Sequence, residues 1–186
     1  MPIVNFAVVA AIAVVLSACG ANPATSAQLT VNRHPVSIAL YTSLVAAERQ
    51  KIERTGAPIA PTSASGTRRL ASIEASVIRE LVRDAVVEQL AASRGITVSD
   101  ADLRSRLSAA EQAFGGAIAF EQALTQAGLS RTDFGAVLRY RLLEAQLTQT
   151  GAAGSTSAID TAVQAAHVVV TIGPCAQRPY PSCVAP

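Results

Sequence analysis

Beyond residue 36, apolar side chains return every three or four positions, the period of helices laid against a core. Val36 to Arg54 places Ile38, Leu40, Tyr41, Leu44, Val45 and Ile52 among Glu, Arg and Lys, which predicts an amphipathic helix with a polar outer face. Thr55 to Thr67 holds Gly56, Pro58, Pro61, Gly66 and several Ser and Thr, and reads as a loop. Arg68 to Arg94 carries Leu70, Ile73, Val77, Ile78, Leu81, Val82, Val86, Val87 and Leu90 on a broad face, so this long helix is expected to be central and touched on several sides. Gly95 ends it in the position of a C′ glycine, with Ile96 as the apolar contact that often follows.

Ser99 is the natural N-cap of the next helix, and Asp100 and Asp102 favour its positive end. Leu103, Leu107 and Ala110 give that helix an inner face, and Phe114-Gly115-Gly116 closes it. A short helix from Phe120 to Ala127 ends at Gly128. Ser130 then caps a last long helix carrying Phe134, Val137, Leu138, Leu142, Leu143 and Leu147. Ahead of all these, Leu29 to Val31 reads as a brief strand before the turn-prone Asn32-Arg33-His34-Pro35. Gly151 to Ser157 is rich in Gly, Ala and Ser, so the folded unit is expected to finish near Gln149.

Composition supports a mainly α fold. About one residue in five is Ala, the best helix former, and only 4% are aromatic, which leaves too little for an all-β domain. The net charge is +2, from 15 basic and 13 acidic residues scattered among one another. Nothing in that distribution resembles a nucleic-acid footprint.

The N-terminus has a different pattern. Ile3 to Ala18 is uncharged and largely apolar, the length of a signal-peptide core and short of the roughly 20 residues of a bilayer-spanning helix. Leu16-Ser17-Ala18-Cys19 resembles a bacterial lipobox, although no Lys or Arg stands near the start as export signals usually have. The resemblance implies cleavage before Cys19, lipidation of that cysteine, and a membrane anchor on the extracytoplasmic side of the cell envelope. The small, polar stretch after Cys19 fits a tether between membrane and domain.

Export places Cys175 and Cys183 where disulfides persist, and the pair is expected to close a small Pro-rich loop. A metal site is disfavoured, since only His167 lies nearby and the usual Cys-x2-Cys spacing is missing. Catalytic signals are equally thin. His34 sits in a turn and His167 in a predicted strand, and neither Gly-x-Ser-x-Gly nor His-Glu-x-x-His occurs. Asp100 and Asp102 are accounted for by helix initiation, and Gly115-Gly116 lacks the Lys-Ser/Thr of a phosphate loop. No cofactor is implied.

The order of elements resembles a known family. A strand with "VNRHPVS", a helix, a loop, a long helix running to "LAASRGITVSDADLRSRL", then "FEQALTQAGLSRTDFGAVLRYRLLEAQL" is similar to the N-terminal chaperone region of SurA-like periplasmic foldases, related to PrsA and trigger factor. The similarity spans roughly Gln28 to Thr150. Its most diagnostic piece is Gly95-Ile96-Thr97-Val98-Ser99-Asp100, and Gly128-Leu129-Ser130 repeats the device. In this family a parvulin prolyl isomerase domain follows, and Ala166-His167-Val168-Val169-Val170 falls where its first strand begins. The chain supplies no further parvulin residues, so His167 is expected to be non-catalytic and its strand to pair with Leu29 to Val31.

The expected division is a leader at 1–18, a tether at 19–28, the helical domain at 29–150, a linker at 151–157, and a parvulin-like strand with a disulfide-containing tail at 158–186. The expected fold is mainly α, a multi-helix SurA N-terminal-like domain with a short two-stranded β element. The expected function is ATP-independent binding of unfolded or extended polypeptides by a lipid-anchored protein. The alternatives are an envelope lipoprotein that binds one specific protein, and a fragment of a peptidyl-prolyl isomerase.

Overall fold

A computed structural model describes residues 28–56, 58–149, 151 and 156–185. The expected leader, Cys19 and most of the tether lie outside the described residues. The strands are β1 (Leu29–Val31), β2 (His34–Pro35) and β3 (Val168–Val170), and the helices are α1 (Ile38–Thr55), α2 (Ala64–Ser93), α3 (Asp100–Ala113), α4 (Ala117–Ala127), α5 (Arg131–Gln149) and α6 (Thr156–Ala165). Single 3-10 turns at Gly173–Ala176 and Ser182–Val184 complete the chain's course.

The central helix organises the fold. With 30 residues, α2 is about 45 Å long, and α1, α5, α6, β1 and both 3-10 turns lean on it. Its apolar face is broad because it has neighbours on several sides: Ile73, Val77, Ile78, Leu81, Val82, Val86 and Val87 are all buried. One core joins α2 to Leu29, Val31, Leu40, Tyr41, Val170, Cys175, Cys183 and Val184. A second gathers Val87, Ala91 and Val98 with Leu143, Leu147 and Ile159.

The mainly helical fold is the expected one, with one more strand in its sheet. The strand order is β2-β1-β3, antiparallel throughout, with Leu29 opposite Val170, Val31 opposite Val168, and Thr30 opposite Pro35. β2 forms because Asn32 and Arg33 both take left-handed backbone angles, φ 53° and 69°, as a two-residue hairpin turn matching the strand twist requires. Pro35 sits on the outermost strand, where a missing N–H does no harm.

Two helices begin earlier than the pattern predicts. α2 starts at Ala64, four residues before the expected Arg68, because Ser63 caps it by accepting from the Gly66 N–H at 3.0 Å. α4 starts at Ala117, three before the expected Phe120. Gly66 belongs to α2 by necessity: a β-carbon there would lie 1.8 Å from the Ala60 carbonyl oxygen. Gly66→Ala is therefore expected to push the 58–63 loop off α2 and to lower stability by about 2 kcal/mol, read as a shifted urea midpoint at unchanged slope.

The expectation that the folded unit finishes near Gln149 is corrected. α6 begins at Thr156, inside the expected 151–157 linker, and its Ile159 is 0% exposed against Val87, Leu143 and Leu147. The 158–186 segment is likewise no separate tail, since it opens within a helix and closes the main core. Cys175 and Cys183 are joined in a disulfide with Cα atoms 4.9 Å apart, and both are buried on α2 beside Val184. Arg79 of α2 donates to the Val184 carbonyl. The physical reason is area: α2 has more apolar face than α1 and α5 can cover.

Candidate binding surface

The residues singled out as possible chemistry are dispersed and mostly occupied structurally. His34 is exposed in β2, opposite Val31. His167 is exposed just before β3, not within it, and its backbone is tied to Asn32: its N–H donates to the Asn32 Oδ1 at 2.9 Å, and its carbonyl accepts from the Asn32 N–H at 2.7 Å. Ser99 Oγ accepts from the Asp102 N–H at 3.0 Å and donates to the Asp102 carboxylate at 2.6 Å. Asp100 pairs with Arg139 of α5 at 2.9 Å. Among the described residues, no three His, Cys, Asp or Glu side chains come together as a metal would need.

What the fold does build is a small lobe from α3, α4 and the start of α5. Local signals fix its corners. Gly95 and Gly128 adopt φ 68° and 73°, and each ends its helix with paired backbone bonds, from Gly95 to Ala92 and Ile96 to Ala91, and from Gly128 to Thr125 and Leu129 to Leu124. Ser130 and Asp133 repeat the Ser99–Asp102 arrangement at the start of α5, at 2.6 and 3.0 Å. Arg139 also donates to the Val98 carbonyl at 3.0 Å, so one side chain holds the α2–α3 turn against α5.

The lobe has its own aromatic centre. Phe120 is 1% exposed and meets Phe114 and Phe134 edge to face, at 5.7 and 5.2 Å between centroids. The Arg131 guanidinium lies 5.7 Å from the Phe120 ring centroid and pairs with Glu121 at 2.9 Å and with Glu111. On the other side, Arg54 of α1 donates to the Gln126 carbonyl at 2.6 Å. Gly128 backs closely onto Ala47, so α4 rests against α1.

On the outer face of α4 runs an open groove of about 550 Å³, lined mainly by apolar surface from Ala117, Ile118, Glu121, Gln122, Thr125 and Gln126, with Arg131 at one side. Ile118 is 78% exposed and Phe114 55%. Two large apolar side chains left in water a few residues apart are informative, whereas scattered exposed ones are not. Sequence reasoning missed Ile118 because α4 was expected to begin after it. Extending the helix back to Gly116 would have placed Ile118 off the Phe120–Leu124 face.

A second groove, of about 480 Å³, lies between α1 and α2 and is lined by Val45, Arg49, Glu53, Leu70 and Glu74 among others. Its charges are already engaged in part, since Arg49 pairs with Glu53 at 2.9 Å and Glu53 also accepts from the Ile59 N–H. The charges of the α4 groove, Glu121 and Arg131, are paired as well, and what distinguishes that groove is the exposed Ile118 on its wall.

No curated protein and no solved structure matches the chain. The family model described as a SurA-like N-terminal domain matches residues 2–148 of the 186, and this chain accordingly belongs to that chaperone-type family.

Proposed function

We propose that this protein holds unfolded or extended polypeptides on the extracytoplasmic side of the membrane, without ATP, while tethered by lipid on Cys19. The observation that carries the reading is the pairing of family membership with the exposed Ile118 in the α4 groove and the exposed Phe114 three residues ahead of α4. Passive holding needs accessible apolar area that tolerates many sequences, and it acts by mass action on unfolded clients. No helix among the described residues is long and apolar enough to cross a membrane. The reading takes its point of attachment from the lipobox resemblance of Leu16-Ser17-Ala18-Cys19.

The test is suppression of aggregation for several unrelated denatured proteins by the purified chain. Ile118→Glu is expected to reduce that suppression about five-fold while moving stability by less than about 0.5 kcal/mol, because the side chain is exposed. Undiminished suppression by this variant would remove the α4 groove from the proposal.

A second reading, recognition of one native partner, draws on the small size of the apolar surface: Phe114, Ile118 and Val169 are the exposed large hydrophobic residues among those described. Association with a single folded protein, and no effect on denatured ones, would select it. We further propose that the chain has no prolyl isomerase activity, because the two spaces that the exposed His167 lines, one with Asn32 and Arg33 and the other with residues including Tyr180 and Pro181, bring no second imidazole, thiol or carboxyl to it among the described residues. Turnover of a proline peptide would contradict this.

A further inference from the structure

On the side of α2 turned to β2 and α5, Ala85, Glu88, Gln89 and Ala92 follow one another at helical spacing, and two of these four are alanines. Small side chains there leave a cleft of about 480 Å³, bounded by His34 and Pro35 of β2 and by Tyr140 of α5. Its polar groups divide into two sets. Gln89 is committed to the hairpin, accepting from Asn32 Nδ2 at 2.7 Å and donating to the Val31 carbonyl at 3.1 Å. Ser37 is committed to α1, accepting from the Leu40 N–H at 3.2 Å. The side chains of His34, Glu88 and Tyr140 make no hydrogen bond or ion pair with any described residue.

The arginines nearby are already taken. Arg141 pairs with Glu80, Arg83 with Glu144, and Arg139 with Asp100 and the Val98 carbonyl, so none neutralises Glu88. Arg33 lines a different space, with Asn32 and His167. Asp84, one turn before Glu88 on α2 and 4% exposed, is likewise in no ion pair. The cleft therefore offers a carboxylate without a counter-charge, a phenol and an imidazole, each able to accept a hydrogen bond, beside the apolar surface of Pro35, Ala85 and Ala92.

We propose that this cleft binds an arginine or lysine side chain of an extended polypeptide. The aliphatic stem lies along Pro35, Ala85 and Ala92 while the charged head reaches Glu88, with Tyr140 and His34 as further acceptors. Glu88 opposes an anionic ligand, and a wholly apolar one would cover three polar groups without giving them partners. That the basic side chain belongs to a polypeptide rests on the proposed function. The cleft shares no residue with the α4 groove, so the two act as separate contact points, one for apolar segments and this one for basic residues.

The test is NMR titration of the full chain, following the methyl signals of Ala85 and Ala92, with a short peptide of Gly, Ser and Ala around one central arginine. A saturable shift is expected with a Kd of about 1 mM, weakening as salt screens the charge. Citrulline in place of the arginine, or Glu88→Gln, is expected to weaken binding about ten-fold, and Tyr140→Phe about three-fold. Glu88 is exposed, so Glu88→Gln leaves folding untouched. N-acetylarginine amide, which lacks the flanking residues, is expected to bind about ten-fold more weakly than the peptide, because flanking residues add contact area. No saturable shift, equal binding of arginine and citrulline peptides, or an unaltered Kd in Glu88→Gln overturns the proposal. N-acetylarginine amide binding as tightly as the peptide overturns the polypeptide ligand. Aggregation suppression without peptide binding at this cleft would remove the basic-residue site and leave the proposed function standing. Peptide binding without suppression would do the reverse.

Discussion

Replacing Cys175 and Cys183 together by alanine is expected to lower stability by about 3 kcal/mol. The bridge closes a loop of eight residues' separation, and cross-linking such a loop restricts the unfolded chain by roughly 2.5 kcal/mol in the chain-entropy account. Lost packing adds to this, because both sulfurs lie in the main core against α2. The segment also has few other restraints: Arg79 on the Val184 carbonyl, the burial of Val184, and Gly173 against Tyr41. Thermal melting should fall by about 10 °C, at roughly 2–4 °C per kcal/mol for a chain of this size. An unchanged melting temperature in the alanine pair would mean that the tail contributes nothing to α2, contrary to its place in the core.

The second large effect runs the other way. Asp84→Asn is expected to stabilise the protein by about 2–4 kcal/mol at pH 8 and by almost nothing near pH 4. The sign follows from proton binding. Burial first, then the neighbouring Glu80, raises the folded-state carboxyl from 3.8 to about 7, while in the unfolded chain it keeps its ordinary value. Between those two values the folded protein retains a proton that the unfolded chain has released, so stability falls as pH rises through the window and is level above it. Three units at about 1.4 kcal/mol each set the upper limit. Asparagine keeps the shape of the neutral acid and cannot ionise, so its stability curve lacks the fall. Urea unfolding of both proteins at pH 4, 6 and 8 checks this: parallel curves would show that Asp84 ionises alike in the folded and the unfolded chain.

The cysteine pair was legible in the sequence and its place in the main core was not, while the burial of Asp84 was hidden altogether. The elements that were legible, α3, α5, the end of α2 and the β1 turn, carry their instructions in adjacent residues. Ser99 with Asp102, Ser130 with Asp133, and Gly95 and Gly128 with their following apolar residues act within one turn of chain. The family resemblance rests on the same local devices, so it was readable to the same extent. α6 was not legible. Its burial depends on Ile159 meeting Val87, Leu143 and Leu147, partners that stand 12 to 72 positions away, and its flanks are Gly- and Ala-rich. The early start of α2 was hidden for a similar reason, since Gly66 reads as a loop residue until Ala60 is seen packed against it.

The candidate surface was visible only in part. The aromatic residues of the lobe were on the page, but an exposed Ile118 and a buried Phe120 have the same hydrophobic appearance in a sequence. Asp84 gave the converse error, a charged residue that the pattern assigns to water. By itself the sequence determined the helical class, the Ser99 and Ser130 caps, the glycine-ended helices, the family, and the cysteine pair available for bridging, because these depend on backbone propensity and on neighbours within a few residues. The tertiary structure alone decided that residues 156–185 complete the core, that Ile118 faces solvent and that Asp84 does not. Burial is a property of what packs against a residue, and for each of these the packing partner is distant in the chain.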